Sequence, residues 1–220
     1  MEVETTLEMD NMLSTKNRLK KERFNLFVKR FFANRQAVLG SMMVILLVLF
    51  ALIAPFITKY TPLQIDPAHR LQAPGSIHWF GTDNYGRDLF SRVAYGGRVS
   101  LAVGLSATVL TALIGMVTGL YAAYYRLLDH VLMRICDGLM AFPDILLAIA
   151  ITAVLGPRPV NVVVAITVVK IPSMARVVRS VALVVKEQTY IEALKAQGAG
   201  SFRIIWRHIA PNTISPFIVQ

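Results

Sequence analysis

Between Tyr190 and Pro211 the chain sets Tyr190, Glu192, Lys195, Arg203, Arg207 and His208 around a Gly198-Ala199-Gly200 break, within an otherwise apolar sequence. These residues can hold another molecule by charge and hydrogen bonding, but no nucleophile stands beside a base. Acid–base chemistry needs paired carboxylates, and the candidates are Asp137 and Asp144, both in an apolar run where acids are costly. Metal chemistry needs clustered ligands. His69, His78, His130 and His208 are scattered, and Cys136, the single cysteine, has no companion at ligand spacing and no disulfide partner. No Gly-x-Ser-x-Gly, His-Glu-x-x-His or phosphate-cradling Gly-x-x-x-x-Gly-Lys-Ser/Thr run is present. The residue types suit recognition and not catalysis, and no metal site is expected.

The elements that carry these residues are membrane helices. Of 220 residues 55% are hydrophobic and 16% charged, with mean hydropathy +0.55; soluble domains carry about a quarter charged residues. The net charge of +10 does not signal a nucleic-acid partner, because the basic residues lie between apolar runs and not on one soluble surface. Residues 37–57 hold no charge for 21 positions, enough at about 1.5 Å per residue to cross about 30 Å of hydrocarbon. The long polar tail before it and the absence of a convincing cleavage site mark an uncleaved first helix and not a secretory signal.

A second run covers Ser100–Tyr125, with Gly115 and Gly119 four apart, as a packing face between helices in one subunit requires. A third runs from about Ile135 to Leu155, interrupted by Asp137 and Asp144, and ends at Gly156-Pro157-Arg158-Pro159. A fourth starts at Val160 and stays apolar to Val185. The predicted fold is therefore an all-α, multi-pass helical bundle with four spanning helices and the start of a fifth.

Lysine and arginine set the orientation. With the N-terminal tail in the cytoplasm, 17 of the 23 basic residues fall inside, satisfying the positive-inside preference. The organisation is then a basic cytoplasmic tail over 1–36, a first spanning helix over 37–57, an outer loop over 58–99 and a membrane core over 100–220. The polar stretch 186–211 is cytoplasmic.

That stretch reads as a helix–turn–helix knob. Residues 186–197 form one helix, ending where Gly198 or Gly200 takes a left-handed conformation; Ser201 caps a second, with Phe202, Ile205, Trp206 and Ile209 on one face. Pro211 marks the turn back into the membrane. An interfacial helix on lipid headgroups is the blander alternative. Asp144 either caps the helix after Pro143 or faces a polar pathway; Asp137 pairs with Arg134 or Arg126, and Lys170 snorkels to the cytoplasmic surface. In the outer loop, Asp83, Arg87 and Asp88 either meet a partner protein or serve a turn at Gly81, Asn84 and Gly86, with Asp88 capping the next helix.

Glu192-Ala193-Leu194, Gly198 and Ile209-Ala210-Pro211 resemble the Glu-Ala-Ala loop in transmembrane subunits of ATP-binding-cassette importers. Leu194 replaces the second alanine, and Ala210 stands where leucine is usual. Phe80–Arg92, FGTDNYGRDLFSR, resembles a signature of the C-type permease of oligopeptide, dipeptide and nickel importers, and GLMAFPDILLAI (138–149) and IPSMARVVRS (171–180) are similar to stretches of the same family. The likeness runs from about Gln36 onward.

It implies a type I importer permease of six helices in a bacterial inner membrane. This chain is then expected to be part of one, since the nine residues after Pro211 fall short of a further span. It implies partners as well: a second, B-type permease, two ATPase subunits that hold ATP and magnesium, and a substrate-binding protein touching Asp83, Arg87 and Asp88. This chain would bind no cofactor. Tyr190, Glu192, Ala193, Gly198, Phe202, Ile205, Trp206, Ile209 and Pro211 would form the ATPase-coupling loop, with Phe202, Ile205 and Trp206 packing either on the partner or back on the permease. Peptides are the first expected cargo, nickel complexes the second. The competing readings are an ion-driven secondary transporter and a membrane-embedded enzyme subunit using Asp137 and Asp144.

Overall fold

In the computed structural model, residues 18–219 are described, apart from 20, 21, 23 and 27, with the backbone alone over 215–219. Lys16, Lys20, Lys21 and Arg23 of the basic tail, and Gln220, lie outside the described residues. The chain divides into two compact units, residues 1–98 and 99–220. Among the described residues there is helix and loop but no strand, with one isolated bridge between Thr82 and Asp88.

In the first unit, α1 spans Arg35–Ile57. The Asn34 side chain starts it by accepting from Gln36 N and Ala37 N at 3.1 and 3.2 Å, and it ends at extended Thr58. Its apolar residues lie on all sides and are largely exposed, the condition of a helix meant for lipid. A loop follows, with a short 3-10 turn at Pro67–His69.

Next, α2 spans Leu89–Tyr124. It begins eleven residues before the expected Ser100, so the last part of the expected 58–99 loop is helical. Asp88 is the reason: its Oδ2 accepts from Ser91 N at 2.7 Å, and the turn built on it carries the polar residues Arg92, Tyr95 and Arg98 into the helix ahead of the apolar run.

In the second unit, α3 (Arg126–Met140) and α4 (Asp144–Leu155) replace the single third helix expected over Ile135–Leu155. They meet at 91°. Pro143 explains the break, because its ring disfavours helical backbone at Phe142 and it cannot donate to the preceding turn. Gly156 then leaves α4 at φ +92, and Asn161 Nδ2 donates to the carbonyls of Leu155 and Gly156 at 2.6 and 3.0 Å.

Pro159 opens α5 (Pro159–Lys186) at the first-turn position that tolerates a missing N–H. Gly115 and Gly119 of α2 face α5 directly. A side chain at Gly115 would meet Met174, and one at Gly119 would meet the Ala175 carbonyl and Val178. The small-residue face is an intrachain contact, as its spacing predicts.

The helix expected over 186–197 is divided: α5 ends at Lys186, and α6 (Thr189–Ala196) starts after extended Gln188. From Ser201 the backbone is helical without interruption to Val219. We label Ser201–Arg203 α7; a π-helical segment, Ile204–Ile209, joins it to α8, Ala210–Val219. Two expectations are corrected here. Gly200 and not Ser201 holds the N-cap position, with no side-chain cap bond. Pro211 does not turn the chain; it sits in the first turn of α8, where its absent N–H costs little because the preceding π segment has already shifted the ladder, Ala210 N donating five residues back to Ile205 O.

Among the described residues three helices, α1, α2 and α5, are long and apolar enough to cross a membrane, and the bent α3–α4 pair adds a fourth if it is one span.

Candidate functional site

The knob is a closed piece of structure. At the end of α6, Ala199 N donates to Leu194 O and Gly198 N to Lys195 O, both at 3.0 Å, the paired bonds of a Schellman turn. The turn requires positive φ at Gly198, which stands at +78; Gly200 is extended at φ −66. Of the two glycines the sequence offers, Gly198 makes the turn.

Burial separates the predicted residues into two groups. Ile205 and Ile209 are 1% and 2% exposed and pack with Leu120, Met174, Val178 and Ala182, so they anchor the knob to α2 and α5 and are not available to a partner. Trp206 packs against the same cluster, half-buried. Phe202 stands apart, 71% exposed, with its ring 6.4 Å from that of Trp206. The single apolar face expected for 202–209 is therefore split, because i→i+5 winding in the π segment moves successive residues off the 3.6-residue stripe.

Tyr190, Glu192, Ala193, Gly198 and Pro211 are exposed, and Tyr190 lies 6.5 Å ring to ring from His208. Ile191 and Ile204, both 0% exposed, complete the anchor. The Ile191/Leu194 spacing of three was a signal for the first of them. Overall, one side is an isoleucine-rich plug, and the other presents Glu192, Lys195, Phe202, Arg203 and Arg207.

Where the knob leaves α5, Lys186 Nζ donates to the carbonyls of Ala123 and Tyr124 at 3.0 and 3.2 Å, satisfying the open end of α2. Above it, ion pairs tie α5 to the broken segment. Arg179 grips Asp129 with two nitrogens, Arg176 meets Asp137, and Lys170 Nζ lies 2.8 Å from Asp144 Oδ2. These pairs correct three expectations. Asp137 pairs with Arg176 and not with Arg134 or Arg126. Lys170 does not snorkel away, and Asp144, the first residue of α4, makes no side-chain cap bond. Asp144 and Lys170, and likewise Asp137 and Arg176, stand at nearly matching distances on either side of Pro157, a signal the sequence contained; Asp129 and Arg179 do not.

The loop before α2 is organised by its acids. Asp83 accepts from Tyr85 N, Arg87 N and Arg87 Nε at 2.8, 3.0 and 2.8 Å, and from Arg92 Nη1 at 3.0 Å. Asp88 joins the α2 cap to the ring of His78, 2.9 Å away and buried with it. Gly81 and Gly86 both take φ +75. Of the two roles weighed for Asp83, Arg87 and Asp88, the structure displays the turn and the cap. Among the described residues, no three His, Cys, Asp or Glu side chains gather as metal ligands.

Burial raises the Asp88 pKa, but the bonds from Ser91 and His78 outweigh it and hold the carboxyl below its ordinary value; Asp83 is lowered likewise by its donors against desolvation. A depressed carboxylate contributes stability above its unfolded pKa, about 3.9, and that contribution is lost as pH falls through the folded value. Hydrogen exchange across residues 72–91, corrected for the intrinsic rate, is therefore expected to accelerate as pH falls below about 4. Asp88→Asn should accelerate exchange at neutral pH and flatten that acid dependence.

Residues 101–220 match the family described as binding-protein-dependent transport system inner membrane component, and residues 23–74 match the N-terminal TM domain of oligopeptide transport permease C. The chain belongs to the binding-protein-dependent transport system inner membrane components, as a helical membrane protein whose first part is similar to that of oligopeptide transport permease C.

It is 47% identical over 194 residues to a peptide transport system permease protein of Brucella abortus, covering 88% of this chain and 66% of the relative. A dipeptide transport system permease protein of Alkalihalophilus pseudofirmus is 44% identical, covering 87% and 64%. A glutathione transport system permease protein of Pectobacterium atrosepticum is 43% identical, covering 88% and 65%. The chain thus spans just under two thirds of the length of these relatives.

Proposed function

We propose that this chain is the C-type membrane subunit of an importer driven by ATP hydrolysis on partner subunits, carrying short peptides handed over by a substrate-binding protein. Nickel complexes are the second choice of cargo. The knob is the observation that carries the reading: a polar hairpin, plugged by Ile191, Ile204, Ile205 and Ile209 into the ends of two membrane helices, offers its opposite face to a soluble partner. The relatives' names, which specify peptide, dipeptide and glutathione transport, support the cargo class.

In this reading two ATPase subunits hold the nucleotide and magnesium, and a B-type permease completes the pathway. Closure of the ATPases displaces the exposed face around Glu192, Ala193 and Phe202. The isoleucine plug and Lys186 pass that displacement to α5 and α2, so ATP favours one state of the pathway through a contact that differs between states. The chain itself binds no cofactor and catalyses no reaction. Tyr190, Gly198 and Pro211 shape the coupling loop; Asp83, Arg87 and Asp88 stand on the side that meets the binding protein, opposite a cytoplasmic N-terminus.

The test is co-purification of the full permease with its ATPase. Glu192→Arg alters an exposed side chain and should reduce ATPase capture about ten-fold or more, the effect of about 1.4 kcal/mol at an interface. Gly198→Pro, incompatible with φ +78 and removing the bond to Lys195, should abolish capture. Membrane insertion serves as the control. Normal capture by both variants would make the knob a surface anchor and sink the coupling role.

A further inference from the structure

The Lys170–Asp144 pair lies in an unusual place. Asp144 is eleven residues below Leu155 and Lys170 eleven residues below Pro159, on the two helices that rise to the Gly156–Arg158 turn. At 1.5 Å per residue each lies about 16 Å from that turn, about half the thickness of a hydrocarbon core. Both side chains are nevertheless more than half exposed, 54% and 53%. An ion pair at mid-depth cannot be left to lipid; it must face protein or water.

What lies beside it is a cavity of about 320 Å³ between α2 and α5, lined by Thr108, Thr111, Lys170 and Ser173 among small and apolar residues. Thr108 on the same wall is exposed, and Ser173 Oγ donates to the Lys170 carbonyl at 3.0 Å, so the wall beside the lysine is polar.

We propose that this cavity is a way-station for the zwitterionic main chain of a short peptide, with Lys170 receiving the carboxylate and Asp144, its neighbour at 2.8 Å, the ammonium group. The site rests on the peptide-importer reading above and assigns it a place inside the membrane. Its chemistry fits cargo whose side chains vary, since both charges it offers match groups that every free peptide carries. The modest volume and the partial mutual neutralisation of Lys170 and Asp144 keep binding weak enough for release, the condition for a pathway.

The experiment uses the complete importer in inside-out vesicles, with Cys136→Ala as background and cysteine placed at Thr108 or Ser173, and Leu113→Cys, 60% exposed within the apolar run of α2, as the lipid-facing comparison. A membrane-impermeant thiol reagent should label positions 108 and 173 but not 113. Dialanine at about nine times its half-saturating concentration should slow labelling about ten-fold, in proportion to the free fraction of sites, and Lys170→Gln should remove that protection while leaving the labelling itself. No labelling at 108 and 173 would show the face to be buried against another helix, and labelling that dialanine does not slow would show a wet wall without a binding site; either overturns the proposal. ATP-dependent release of dialanine preloaded with the binding protein into the lumen of the same vesicles is scored separately. Its absence refutes the importer reading, whereas release with unprotected cysteines refutes the way-station alone.

Discussion

Replacing Gly119 with leucine is expected to prevent the second unit from assembling. An ideal Cβ at Gly119 would stand 2.5 Å from the Ala175 carbonyl oxygen, 2.7 Å from Val178 Cβ and 2.9 Å from Val178 Cγ1. Two of these neighbours leave little room to yield. Ala175 is backbone and 0% exposed, and Val178 is β-branched, 1% exposed and part of the cluster that seats the knob. Even Gly119→Ala must push α2 and α5 apart, at a cost of about 1–3 kcal/mol, and leucine exceeds that range because its branch has nowhere to go.

Position 115 is more forgiving. The atoms met there, Met174 Cγ at 2.5 Å and Cβ at 2.8 Å, belong to a flexible side chain that can repack. Thermal unfolding of the detergent-purified protein should rank the variants Gly115→Ala, Gly119→Ala, Gly119→Leu in order of increasing damage. Equal midpoints for Gly119→Leu and the native chain would show that α2 and α5 do not meet at this glycine.

The second large effect is expected at Gly86. Its φ of +75 already disfavours any side chain, by about 1–2 kcal/mol, and a Cβ there would fall against the backbone carbonyl of Asp66. Neither partner can rotate away, because both atoms are main chain and the neighbouring Tyr85 O accepts from Asp66 N at 3.2 Å. Gly86→Ala should thus cost about 3 kcal/mol or more within the loop, equivalent to at least a hundred-fold loss of hydrogen-exchange protection across residues 66–88. The helical residues of α1 should keep their protection, since their insertion rests on hydropathy. Native protection in the loop of Gly86→Ala would show that this close approach is absent.

These two glycines illustrate what the sequence did and did not reveal. The Gly115/Gly119 spacing pointed to a packing face, and α5 met it. The uncharged run from Ala37 predicted α1 to within two residues, because hydropathy alone decides where such a helix lies. Hydropathy is silent on polar helix, however, so the start of α2 at Leu89 was missed although Asp88 was recognised as its cap.

In the knob, the glycine turn and the exposure of Glu192 followed from local chemistry. Packing of Ile205 and Trp206 back on the permease is one of the two options their apolar face allows, whereas the separation of Phe202 from that face was not legible, because a π segment has no sequence periodicity of its own to read. The ion pairs were missed for another reason: Asp137 and Arg176 are 39 residues apart, and only the sharp bend after Met140 brings α3 and α5 together on that side. Separation along the chain hid the partners, while the residue types had already announced that partners were needed.

The π segment has a consequence for how this protein can vary. Relative to regular α-helix, Ile204–Ile209 carries one surplus residue, taken up in the widened i→i+5 turn, so the chain on either side keeps nearly the phase it would have without it. Deleting a single residue there would let the backbone rewind into ordinary α-helix and leave the following chain aimed as before, whereas the same deletion inside a regular α-helix would rotate everything after it by about 100°, one residue's share of a 3.6-residue turn. Thr213, now 0% exposed, should keep its packed position in such a variant. The segment between the knob and the next apolar stretch is therefore expected to tolerate the loss of one residue that the middle of α5 would not, as a slack link in a chain can be removed without moving either end.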